Sequence, residues 1–136
     1  MVRVIAPSWE TLRLFLHVLG TTVWVGGQLV LAALVPTLRR AAPEAPAAAA
    51  RAFDRVAWPA FGLLLVTGVW NVIAVRDEVH GAYEVTLVVK LVLVVGSGLS
   101  AWAHIRATTP RARGLFGALT ALCALGALLT GVLLAD

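Results

Sequence analysis

The sequence has few charged residues, and this scarcity excludes an ordinary soluble domain. Charged residues make up 13% of the 136 residues and hydrophobic ones 60%, whereas soluble domains carry about 25% charged residues. Cys123 is the only cysteine, which excludes an intramolecular disulfide and a Cys-x-x-Cys redox motif. Methionine occurs only as Met1, so the chain has no internal thioether ligand for Cu(I).

Instead of charge, the chain has four apolar runs of roughly 20 residues, the length that a helix needs to span a bilayer. We predict transmembrane helices near residues 10–38, 56–75, 85–105 and 114–135, in a single domain covering residues 1–136. The first run is too long for the core of a signal peptide and lacks a small-residue cleavage site, so we expect it to be retained. Short connections predict antiparallel neighbours, and thus an all-α, up-down four-helix bundle in the lipid bilayer.

The connection between the first two runs is predicted to have two parts. Residues 41–50 are rich in alanine and proline and are read as a connector. Residues 51–58 are amphipathic and are expected to lie at the membrane interface. Pro59 is then expected in the first turn of the second helix, where proline is well tolerated.

Basic residues cluster at helix ends, so the net charge of +4 does not indicate nucleic-acid binding. The loops after the first and third runs hold seven arginines, and the other side of the bundle holds three. The seven are Arg39, Arg40, Arg51, Arg55, Arg106, Arg111 and Arg113, and the three are Arg3, Arg13 and Arg76. This asymmetry predicts cytoplasmic basic loops and two extracytoplasmic termini in the inner (plasma) membrane.

His17 lies inside the first apolar run, and it is the most informative residue of the chain. An ionisable side chain at membrane depth is costly and usually faces a bundle interior, where it has a function. His17, Thr21, Trp24 and Gln28 follow the spacing i, i+4, i+7 and i+11, so they are predicted to share one helix face. We expect Gln28, deeper in the bundle, to form an interhelical hydrogen bond.

Two further helices carry polar residues on one face. Thr67 and Asn71 are four residues apart on the second helix, and Lys90, Ser97 and His104 are spaced by seven on the third. These polar faces should meet inside the bundle, because lipid offers them no hydrogen bonds. At 1.5 Å per residue, His17, Asn71 and Lys90 lie roughly 8–10 Å below the extracytoplasmic ends of their helices, and His104 lies near the opposite end.

An imidazole inside an apolar four-helix bundle is the usual protein ligand of a b-type haem. We therefore predict that His17 is an axial ligand of haem iron. The alternatives are a histidine hydrogen-bonded to Asn71 or to a backbone carbonyl, and a ligand of another metal. Lys90 is a haem-propionate partner, a second axial ligand as a neutral amine, or a side chain that extends to the interface. Trp24 either packs on the porphyrin edge or belongs to the core.

The other candidate residues divide between a cofactor pocket and ordinary structure. Thr21, Gly27 and Asn71 are assigned to the predicted pocket, although paired glycines such as Gly26 and Gly27 also admit a neighbouring helix. Cys123 is interpreted as a small core residue, and His104 as an interfacial one. The small residues of the third and fourth runs serve either intramolecular packing or a homodimer interface.

The connection between the second and third runs gathers Asp77, Glu78, His80 and Glu84. Mixed carboxylate and imidazole groups are suitable ligands for a divalent metal ion. The alternative is a solvated acidic loop. His80 is also a candidate second axial ligand, because its loop lies over the extracytoplasmic end of the predicted site.

Several motifs together resemble the membrane domain of the copper-resistance protein D (CopD) family, and they are also similar to HemJ, the related four-helix protoporphyrinogen oxidase. The motifs are His17-x6-Trp24-x-Gly26-Gly27, Trp58-Pro59-Ala60, Thr67-Gly68-Val69-Trp70 and Lys90-Leu91. They span three of the four predicted helices, or about half of the chain. The resemblance implies that His17 and Lys90 take part in haem b binding and activity.

Three functions are therefore expected as alternatives. The first is a haem b membrane protein with a redox role, either electron transfer or oxidation of a small reduced substrate such as a porphyrinogen or quinol; a haem-dependent oxidoreductase of this kind would have a porphyrin or quinone as its partner. The second is copper transport or handling of the CopD type, for which His17, His80 and carboxylates would have to bind Cu(II). The third is a non-catalytic subunit of a membrane complex, whose polar faces only hold helices together.

Overall fold

The computed structural model describes residues 7–135, apart from the side chain of Glu78. Within this range the chain forms four long helices and no strand. They are α1 (Trp9–Ala41), α2 (Ala45–Val75), α3 (Ala82–Arg106) and α4 (Pro110–Leu133). A short 3-10 helix, Arg76–Glu78, lies between α2 and α3. Because each long helix is apolar enough to cross a membrane, the prediction of an all-α four-helix membrane fold is confirmed.

Large apolar side chains cover the surface of the bundle. The accessible surface is 9428 Å², whereas a compact soluble monomer of 14.3 kDa exposes about 6800 Å². Val18, Val66, Val92 and Leu122, one on each helix, are all more than 60% exposed. Such a surface is stable among acyl chains and not in water, so the chain is a multi-pass membrane protein.

The four helices form two antiparallel hairpins, α1 with α2 and α3 with α4. Contacts between the hairpins concentrate where the middle of α1 meets α4. Gly20 allows close contact inside the first hairpin, because an added Cβ would lie 3.0 Å from the Ala60 carbonyl oxygen. Gly98 does the same between the hairpins, where an added Cβ would lie 2.7 Å from the Phe61 ring.

The two ends of the bundle differ in charge, and we name them by what they contain. The termini end comprises the start of α1, the end of α2, the start of α3 and the end of α4. The basic end comprises the end of α1, the start of α2, the end of α3 and the start of α4, and these helix ends carry the arginines.

The middle of α1 is not regular. Residues Thr22–Gly26 form a π-helical segment between α-helical Trp9–Thr21 and Gly27–Ala41. A π-helical turn holds more residues than an α-helical one, so it rotates the following side chains around the axis. The single polar face predicted from His17 to Gln28 is therefore interrupted at Trp24, which is buried within the segment.

The start of α2 corrects the prediction for the first connection. Helix α2 begins at Ala45, so residues 51–58 and most of 41–50 are helical. Pro46 lies in the first turn, where the missing N–H has no intrahelical partner in any case. Four alanines, residues 47–50, then continue the helix, because alanine is the best helix former. Pro59 consequently lies in the helix interior and not in its first turn.

Helix α4 also begins earlier than predicted, at Pro110 instead of residue 114. The Thr109 side chain accepts a hydrogen bond from the Ala112 N–H at 3.2 Å and caps the helix. At the start of α3, Gly81 has φ of +58°, a conformation that favours glycine and ends the α2–α3 connection.

Candidate functional site

His17 links α1 to α2 through a hydrogen bond between side chains. Its Nδ1 lies 2.9 Å from the Thr67 hydroxyl oxygen. The Thr67 hydroxyl has two carbonyl acceptors on its own helix, Leu63 at 2.7 Å and Leu64 at 3.2 Å, and we assign its one proton to them. With this assignment Nδ1 carries the ring proton and donates to Thr67, and Nε2 keeps its lone pair. Within residues 7–135, Nε2 has no hydrogen-bond partner.

The residues predicted around His17 have different environments. The ring bonds to the Thr67 hydroxyl and not to Asn71, and it also interacts with the Leu64 backbone. The Thr21 hydroxyl donates to the His17 carbonyl oxygen of its own helix at 2.9 Å, so it does not reach another helix. The Asn71 Oδ1 atom is buried and has no partner among the described residues. Of the predicted polar residues of α2, one is thus bonded and one is unsatisfied.

Lys90 approaches the same end of the bundle from the second hairpin. Its side chain is half-buried and lies against α4, where a Cβ added to Gly131 would be 3.2 Å from Nζ. The structure therefore brings His17 and Lys90 to one end, on different hairpins and without a direct hydrogen bond between them.

Arg13 is a functional candidate that the sequence argument did not include. It is buried, with 9% of its surface exposed, and its Nε has no hydrogen-bond partner in the described part of the chain. Its ion pair with Glu10 is long, at 3.8 Å. A signal was present in the sequence, because Arg13 precedes His17 by four residues and so lies on the same face of α1.

A cleft opens beside Arg13 at the termini end, between α1 and α2. Its volume is about 400 Å³. The lining residues are Trp9, Glu10, Arg13, Trp70, Ala74 and Val75. Neither His17 nor Lys90 is among them.

Trp24 belongs to a packed cluster in the middle of the bundle. Its indole N–H donates to the Ser97 hydroxyl at 3.0 Å, and Ser97 donates to the Thr120 carbonyl oxygen at 3.1 Å. The Trp24 ring also packs on Phe61, with centroids 4.3 Å apart, and against Trp58 at 5.7 Å. We call these five residues the central layer. Trp24 is only 4% exposed, which supports its interpretation as a core residue.

Gly27 and Gln28 follow the π-helical segment, toward the basic end. The Phe53 ring of α2 occupies the space where a Cβ of Gly27 would lie, so this glycine serves helix packing. The prediction of an interhelical hydrogen bond for Gln28 is wrong. Its Nε2 is buried and has no partner within the described chain. The interruption of the predicted face at Trp24 accounts for this, because residues beyond it are rotated away from their expected neighbours.

The remaining ionisable candidates lie apart from His17. His80 and Glu84 are exposed, and Asp77 lies 3.6 Å from Arg76. Among the side chains that the structure describes, no three His, Cys, Asp or Glu residues come together to hold a metal ion. His104 Nδ1 lies 2.7 Å from the Arg113 carbonyl oxygen at the basic end. His104 is therefore remote from His17, as expected.

No family model matches the chain, no curated protein matches its sequence and no solved structure matches its fold. The resemblance to CopD and HemJ therefore stays a prediction, which depends on the motifs quoted above. Any functional assignment has to depend on the chain's own residues.

Proposed function

We propose that the protein binds haem b and has a redox role, either electron transfer or oxidation of a small reduced substrate such as a porphyrinogen or quinol. The observation that carries the proposal is the His17–Thr67 hydrogen bond, with Nδ1 as its donor. Histidines that bind metals almost always donate their other ring N–H to a nearby acceptor, which orients the ring and increases its basicity. His17 has this arrangement, with Nε2 left for the iron.

The groups at the termini end are chemically suited to a haem. His17 would supply an imidazole, the common axial ligand of b-type haems. Lys90, from the other hairpin, would supply an amine as the second ligand or an ammonium group for a propionate. His17 and Lys90 lie on different hairpins, and the hairpins touch mainly at the π-helical segment. Bound haem would supply one-electron chemistry; the chain itself would hold and orient the ring.

The position in the membrane follows from the arginines. The basic end carries most of them, and we propose that it faces the cytoplasm. His17 and Lys90 would then lie in the extracytoplasmic half of the plasma membrane. A quinone dissolved in the bilayer or an external protein would be able to exchange electrons there.

An optical spectrum of the purified protein in detergent, with and without dithionite, tests the proposal. We expect a Soret band and, on reduction, the α band of a b-type haem. His17→Ala should abolish haem retention because it removes the axial ligand. His104→Ala is the matched control, since that ring bonds to the Arg113 carbonyl at the basic end, and it should retain haem.

Three outcomes would contradict the proposal. Full haem occupancy in the His17→Ala protein would refute the ligand assignment. Copper found by elemental analysis without a Soret band would indicate the copper-handling alternative, and co-purifying proteins with neither signal would indicate a subunit of a membrane complex.

A further inference from the structure

We infer that the cleft between α1 and α2 at the termini end binds the anionic group of an amphipathic molecule. A carboxylate or phosphate would pair with Arg13, and the apolar body would lie against Trp9 and Trp70. The cleft volume of about 400 Å³ is within the range of roughly 300–1,000 Å³ that small-molecule sites occupy. Since His17 and Lys90 do not line the cleft, the inference is independent of the haem proposal.

The cleft contains a buried cation with unused hydrogen-bonding capacity. Arg13 is 9% exposed, and its Nε–H finds no acceptor among the described residues. The Glu10 carboxylate oxygen lies 3.8 Å from the guanidinium, on a side chain that is 73% exposed, which is too long for a hydrogen bond. A guanidinium presents a planar set of five donors that matches a carboxylate or a phosphate. Burying it is costly without an anion, and no carboxylate of the described residues lies within hydrogen-bonding distance of it.

A second unsatisfied polar group lies at the same level on the facing helix. The His17–Thr67 hydrogen bond and the contact of Gly20 with Leu64 fix the antiparallel register of α1 and α2. One helical turn nearer the termini end, this register places Asn71 opposite Arg13. The Asn71 Oδ1 atom is buried and unpaired within the described range.

Buried polar groups in native proteins are nearly always hydrogen-bonded, so an unpaired guanidinium N–H on a residue that lines a cleft indicates a ligand there. Asn71 does not line the cleft, so its unpaired Oδ1 shows only that polar groups at this level lack partners within the described range.

The walls of the cleft indicate that the ligand is also apolar. Trp9 and Trp70 flank it from the two helices, with 77% and 39% of their surfaces exposed. Indole rings favour the level of lipid headgroups, with one side polar and the other apolar. Arg13 lies roughly 6 Å along the axis from the first residue of α1. An anionic phospholipid and a free amphipathic carboxylic acid share the chemistry required here.

Quenching of tryptophan fluorescence by brominated amphiphiles tests the inference. The full chain is purified without added haem in an uncharged detergent and titrated with three probes, each brominated near its headgroup. A fatty acid supplies the carboxylate, phosphatidylglycerol supplies the phosphate, and phosphatidylcholine is the control without net charge. We expect at least one anionic probe to quench at a concentration about tenfold lower than phosphatidylcholine. The probe that does so identifies the source of the anion.

Variants identify the residue responsible. Arg13→Gln should lower the affinity for the preferred anionic probe by about tenfold and leave the affinity for phosphatidylcholine unchanged. Arg76→Gln removes an exposed arginine near the same end and should bind the probes as the unaltered chain does. If circular dichroism shows that Arg13→Gln is unfolded, Arg13→Lys, which keeps the charge but loses the planar donor set, should still show weakened binding.

The inference is wrong if the unaltered chain does not distinguish the anionic probes from phosphatidylcholine. It is equally wrong if both Arg13 variants bind the anionic probes normally, or if binding is lost in Arg76→Gln instead. None of these outcomes affects the haem proposal, whose readout is the Soret band.

Discussion

The central layer and the termini end both place polar side chains inside an apolar bundle, but they differ in how these groups are satisfied. In the central layer the Trp24 N–H and the Ser97 hydroxyl each have a partner on another helix. At the termini end, Arg13 and Asn71 each keep a buried polar atom without one in the described structure. A complete polar network specifies one packing arrangement, whereas a partly satisfied one is costly. The central layer therefore holds the fold, and the termini end is where a ligand is expected.

The largest expected effect tests the structural half of this comparison. Phe61→Ala should destabilise the protein by about 3 kcal/mol, because the Phe61 ring contacts both Trp24 and the Gly98 position of the other hairpin. Thermal unfolding in detergent, followed by circular dichroism, measures the loss. Phe15→Ala is the control, since Phe15 is 58% exposed and should have a much smaller effect. Equal destabilisation by both substitutions would show that the central layer has no special role in stability.

The next effect concerns the ring orientation of His17. Thr67→Val keeps the side-chain shape but removes the acceptor for the Nδ1 proton, and loss of such a partner typically weakens metal binding 10–100-fold. Haem titration followed at the Soret band measures this change.

Thr130→Val is the matched control, because the Thr130 hydroxyl also donates to carbonyl oxygens of its own helix, at 3.0 Å from Gly126, and bonds to no other side chain. It should leave haem affinity unchanged. Normal haem binding by Thr67→Val would mean that the Thr67 contact does not prepare His17 as a ligand.

Sequence periodicity predicted the helices and the level of His17 correctly, because both depend on local geometry. Four apolar runs of spanning length require four helices, and a rise of 1.5 Å per residue fixes depth. Two features were not predictable in this way. No residue pattern in Thr22–Gly26 distinguishes a π-helical segment from an α-helical one. The start of α2 was placed too late because alanine has only moderate hydropathy, although it strongly favours a helix.

The partners of the site residues depend on tertiary contacts that one sequence does not contain. Thr67 and Asn71 are four residues apart, so both lie on the face of α2 that meets α1. Only the antiparallel register decides that Thr67 faces His17 and that Asn71 lies one turn away. Arg13 was counted only as a charge near a helix end. Its burial depends on how the helices pack, and Trp70 and Ala74 of α2 line the same cleft.

The smallest expected effect separates two roles for Arg13. Glu10 is 73% exposed and lies 3.8 Å from Arg13, a geometry in which a surface ion pair contributes about 0.5 kcal/mol or less. Glu10→Gln should therefore leave the unfolding temperature almost unchanged. It should also raise the affinity for the anionic probe by roughly twofold, because the one carboxylate that competes weakly for the guanidinium is removed. Clear destabilisation with no gain in anion binding would contradict the inference. It would mean that Glu10 is the main partner of Arg13, so that no ligand would be needed to explain the buried charge.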